Sequence, residues 1–131
     1  MTTVDDLITV CDELTAADLG WFVVLGERVR AETDPELQRL LATADHRHAW
    51  HADLWARRRP AIPHDVERPA PEPTLPDVGD DIVAAYRRHL AAQRSFLAEL
   101  LAVVDADLDP ATVRVATLID ADLADLADRL T

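Results

Sequence analysis

His48 and His51 stand three residues apart, a spacing that puts both imidazoles on one face of a helix. Two such imidazoles reach a single ion, and a carboxylate from a facing helix completes a two-His, one-carboxylate donor set. With open positions that set suits Fe(II); with a closed fourth ligand it suits Zn²⁺. The tract His46-Arg47-His48-Ala49-Trp50-His51 looks metal-binding when read linearly, but at 100° per residue His46 falls about 170° from the apolar stripe and reads as surface. Asp45 precedes His48 by three and lies at the far edge of the stripe, a weaker candidate ligand.

Four helices must position these groups. The pattern predicts helices over about 4–30, 34–59, 80–104 and 110–130. Asp34-Pro35 and Asp109-Pro110 each place a capping carboxylate before a proline suited to the first helical position. Pro60 ends the second helix. No stretch alternates long enough to predict a strand, so the expected fold is all-α. Short links make helices 1 and 2, and helices 3 and 4, antiparallel neighbours. The connection over 60–79 holds six of the eight prolines. Roughly 18 Pro-rich residues at ~3.1 Å each reach about 56 Å, more than the ~39 Å of a 26-residue helix. It therefore reads as a crossover between two helical hairpins of an antiparallel four-helix bundle, with 131 residues forming a single domain.

Each helix has an apolar stripe, and three of the stripes are interrupted. Helix 1 carries Leu7, Cys11, Leu14, Trp21, Leu25 and Val29, with Asp18 among them. Helix 2 carries Leu37, Leu40, Leu41, Ala44 and Trp55, with His48 and His51 near its centre. Helix 3 carries Ile82, Tyr86, Leu90, Leu97, Leu100 and Val104, with Gln93 at its centre and His89 at its edge. Helix 4, with Val115, Ile119, Leu123, Leu126 and Leu130, is almost wholly apolar, and Asp122 sits at its margin. A buried polar group left unsatisfied costs about 1–3 kcal/mol, so these must meet one another, water or a ligand. The pattern predicts a cluster of Asp18, His48, His51 and Gln93, with Trp21, Tyr86, His89 and Asp122 as its surround for a bound substrate. A metal-free alternative uses the same residues as a satisfied hydrogen-bond network.

The second helix resembles that of the ferritin-like superfamily. Asp34-Pro35-Glu36-Leu37, Leu40-Leu41 and His48-Ala49-Trp50-His51-Ala52-Asp53-Leu54 follow its run of Asp-Pro-Glu-Leu, a leucine pair and Glu-x-x-His-Ala-Glu-Leu. The resemblance implies a bundle of two hairpins across a long crossover. It gives Asp18 the helix 1 Glu position, His48 and His51 the Glu and His of Glu-x-x-His, and Gln93 the helix 3 Glu position. At the second Glu-x-x-His this chain has Leu123 and Leu126, and Gln93 is neutral. The anionic oxygens that balance two irons are therefore missing, which points away from a di-iron centre. One divalent ion (Fe, Mn or Zn), or a small-molecule pocket at the bundle centre, is what remains.

Composition narrows the function further. The net charge is −12, with 25 acids against 13 bases, every one of them Arg. That argues against a nucleic-acid binder, which needs a basic face for the phosphates, and disfavours docking on an anionic membrane. Three glycines leave no room for a phosphate-binding loop. The absence of Lys and Asn reads as the coding bias of a GC-rich bacterial genome. One cysteine, and a start of Met1-Thr2-Thr3-Val4-Asp5-Asp6 without basic or apolar regions, lead to the expectation of a cytoplasmic protein. Arg57-Arg58-Arg59 complements the helix 2 C-terminus, or offers an anion site. Asp120, Asp125 and Asp128 read as a solvated face. The run Trp21-Phe22-Val23-Val24-Leu25 and outward-pointing Trp50 suggest a homodimer, or else cover by the crossover. The functional expectation is a mononuclear metal-dependent oxygenase or oxidase for a small organic substrate. The alternatives are a metal-free binding or scaffold protein, and an acid/base enzyme using His48 or His51.

Overall fold

The computed structural model describes residues 3–61 and 71–131, and the fold is all-α, with no strand among them. Its helices are α1 (Val4–Ala31), α2 (Pro35–Arg58), α3 (Ile82–Val103) and α4 (Pro110–Arg129). Side-chain caps fix their starts. Thr3 and Asp6 form a reciprocal capping box at α1, with bonds of 3.0 and 3.1 Å. The Thr3 N–H holds the Asp6 carboxyl below its ordinary range. Asp34 and Asp109 cap α2 and α4 ahead of their prolines, and Asp81 caps α3.

The chain divides into two compact units, Thr3–Pro76 and Asp77–Thr131. In the first, α1 and α2 are antiparallel, as partners descending α1 while ascending α2 show. Gln38 donates to the Val29 carbonyl at 2.8 Å, Asp45 lies against Gly26, His48 meets Asp18, and Arg59 reaches Asp12 at 2.8 Å. The α1 stripe differs from expectation at its ends: Ile8 is buried while Leu7 and Val29 are only half-buried. Leu37 and Leu40 are also half-buried, and the core of α2 begins at Leu41.

The Pro-rich connection lies against α1 at Ala16 and Gly20. The Thr74 N–H donates to the Ala16 carbonyl at 2.9 Å. A Cβ on Gly20 would lie 1.8 Å from the Thr74 carbonyl oxygen, so this approach requires glycine. Ala16 and Gly20, one turn apart, make a second buried face on α1 that the apolar stripe does not include. Phe22 and Trp50 stay 39% and 43% exposed, so the described part of the connection leaves both open. Residues 62–70, with His64, lie outside the described residues.

In the second unit, α3 and α4 pair antiparallel. Arg94 bonds Asp120 at 3.0 Å, and the Arg87 guanidinium donates to the Leu130 carbonyl. Leu90, Leu97, Ile119, Leu123 and Leu126 are all but fully buried. No helix among the described residues is long and apolar enough to cross a membrane.

Gly20→Ala should cost about 1–3 kcal/mol, because the backbone of Thr74 must move to admit one methyl. Gly26→Ala is the control: its Cβ would meet Asp45 no closer than 3.5 Å, and the exchange should be neutral or favourable. Urea unfolding of the two variants measures the difference.

Candidate metal centre

α1 and α2 bring three polar side chains together near mid-length. Asp18, His48 and His51 are each 0% exposed. Asp18 interrupts the α1 stripe between Leu14 and Trp21, and the two histidines face it from adjacent turns of α2. His48 Nδ1 and Asp18 Oδ1 are 2.8 Å apart, the length of a charge-assisted hydrogen bond. The imidazoles of His48 and His51 meet edge-to-face with centroids 5.5 Å apart. One donor atom from each of the three residues lies within 4.8 Å of the others, so this buried group could hold a metal ion. It is the one group of this kind among the described residues.

Comparison with protein-family models, curated proteins and solved structures gives no match.

Aromatic rings wall the group. Trp21, 5% exposed, lies over His48 at a centroid distance of 6.5 Å and an angle of 30°. Trp50 packs its ring 5.6 Å from that of His51 while keeping one side exposed. Burial by rings lowers the local dielectric, which strengthens the Asp18–His48 attraction and raises the cost of either group alone.

The other expected site residues belong to the second unit. Tyr86, 1% exposed, stacks on His89 with centroids 6.2 Å apart, and Asp122 is half-buried. Gln93 is 5% exposed, and neither its amide nitrogen nor its oxygen has a hydrogen-bond partner among the described residues. Asp45, the weaker candidate, is not in the metal-competent group and instead lies beside Gly26. Burial raises its pKa above the ordinary carboxylate value, against the opposing effects of His46 and the Gly26 N–H.

One polar group escapes the sequence pattern. Trp55 counts as an apolar stripe residue, yet its indole Nε1 is buried and finds no acceptor among the described residues. Hydropathy scores the ring and hides the N–H.

Asp18→Ala and His48→Ala should each lose about 3–5 kcal/mol, since each leaves a buried partner uncompensated. The double variant should lose less than their sum, by about 1–3 kcal/mol in a double-mutant cycle. For Asp45 the sign is opposite to a paired carboxylate. Its folded pKa lies above its unfolded one, so its contribution is full below the unfolded value and lost as pH rises through the folded value. Asp45→Asn should therefore gain on the wild type between about pH 3 and pH 7, as melting curves at both ends will show.

Proposed function

We propose that the chain is a ferritin-like helical protein that binds one divalent metal ion through Asp18, His48 and His51, and uses it in oxidative chemistry on a small organic substrate. The observation that carries this reading is the donor set itself: two imidazoles and one carboxylate, fully buried, with donor atoms within 4.8 Å. Apolar residues would fill these stripe positions at no desolvation cost, so three ionisable groups there favour a ligand role. Three protein donors leave positions open for water, oxygen or substrate, which the bound ion would activate as a Lewis acid or redox centre.

The chain's own residues supply the setting. Asp18 supplies the carboxylate of the set and hydrogen-bonds Nδ1 of His48 at 2.8 Å, which holds that ring in orientation. Trp21 fixes the His48 ring from its face and excludes water. A single carboxylate balances one dication far better than two, which favours a mononuclear centre over a di-iron one.

A second reading rests on the 2.8 Å His48–Asp18 bond. Tetrahedral ligands at ~2.0–2.1 Å from a zinc ion are roughly 3.3–3.5 Å from one another. The pair is closer than that, as in a metal-free network that holds α1 against α2.

Elemental analysis after loading with Fe(II), Mn(II) or Zn(II) separates the two. The metal reading expects about one ion per chain, lost in His48→Ala and His51→Ala, and a melting temperature that chelator lowers. Sub-stoichiometric metal in the wild type, with no thermal shift on loading, would leave the hydrogen-bond network as the function of these residues.

A further inference from the structure

The inner face of α2 continues beyond the metal-competent pair. His48, His51 and Trp55 follow one another at steps of three and four residues, and all are 0% exposed. From His51 to Trp55 the helix rises about 6 Å. One turn further, Arg59 lies on the same face, its side chain 18% exposed and its Nε bonded to Asp12 at 2.8 Å.

Trp55 is the anomaly in this row. About nine in ten or more of buried polar groups in folded proteins have a hydrogen-bond partner. Its Nε1 is buried and has no acceptor among the described residues. An indole donates and never accepts, so the missing complement is an acceptor, for which a carboxylate oxygen is among the strongest choices. A phenylalanine would fill an apolar stripe without this donor.

Charge says which oxygen. A dication held by one carboxylate and two neutral imidazoles would carry one net positive charge, at residues that are each 0% exposed. Uncompensated charge there is costly, and a monoanion removes it. A carboxylate does so with two oxygens, one for the ion and one for a donor a turn away. We infer that Trp55 is a further binding residue of the site, its indole N–H donating to a small carboxylate held at Asp18, His48 and His51. The substrate class of the proposed metal protein is thereby a monocarboxylic acid. This inference rests on the metal reading, and the test reports on each separately.

The probe is acetate, added to the Zn(II)-loaded full chain. The metal content is measured first. The three indole N–H signals, from Trp21, Trp50 and Trp55, are then followed by ¹⁵N NMR and assigned with single Trp→Phe variants. The expected result is a saturable shift of the Trp55 signal while that of exposed Trp50 stays in place. Trp55→Phe should keep its zinc and bind acetate about tenfold or more weakly, the effect of losing one hydrogen bond to a charged group. If zinc binds and the Trp55 signal does not respond to acetate, the carboxylate role is overturned and the metal reading stands. Unchanged acetate affinity in Trp55→Phe overturns it equally. A wild type that retains neither Zn(II) nor, in parallel loadings, Fe(II) or Mn(II) overturns both. Because the wild-type signal is itself a readout, a Trp55→Phe chain that fails to fold still leaves the question decided.

Discussion

The hydrogen bond between His48 and Asp18 constrains the first unit more than any other contact. Two ionisable groups at 0% exposure are tolerable only together. Their meeting fixes the register of α2 on α1, because sliding either helix by one turn would separate them and bury each alone. The other contacts of the hairpin agree with that register: Gln38 to Val29 on one side, Arg59 to Asp12 on the other. The aromatic rings of Trp21 and Trp50 then have their places set by the two imidazoles they pack against. The group that could hold a metal ion and the device that aligns the helices are here the same three side chains.

The helix plan was readable because its signals are local. Asp34-Pro35 and Asp109-Pro110 specify a helix start within a few residues, and the structure begins α2 and α4 at those prolines. The pairing of Asp18 with the two histidines was readable for another reason. A polar residue in an apolar stripe must be answered from the facing helix, and a short turn near Thr33 leaves one register in which to find the answer. Gln93 gave the same kind of signal, and burial accords with it, but its level along α3 says nothing about which group completes it.

What could not be read depends on distance or on atoms that hydropathy ignores. Gly20 looks like a tolerated helix glycine until Thr74 is seen against it, and Thr74 lies in an aperiodic segment that carries no register. Ile8 rather than Leu7 is the buried residue at the start of α1, a shift that a wheel drawn for a single face does not give. Trp55 was counted correctly as core, and only its indole nitrogen shows that the core is not apolar there.

The bond from Thr74 to Ala16 also has a bearing on folding. The hairpin of α1 and α2 closes through a turn of a few residues and gains its contacts at low entropic cost. Thr74 can dock only after much of the intervening chain has been spanned, and its docking adds one backbone bond and the cover of Gly20. Loop-closure entropy therefore favours the pairing that brings Asp18, His48 and His51 together over the docking of Thr74 on the other face of α1. The Thr74 contact on α1 and the buried polar group thus depend on different interactions: one backbone bond at Ala16 for the first, the pairing of α1 with α2 for the second.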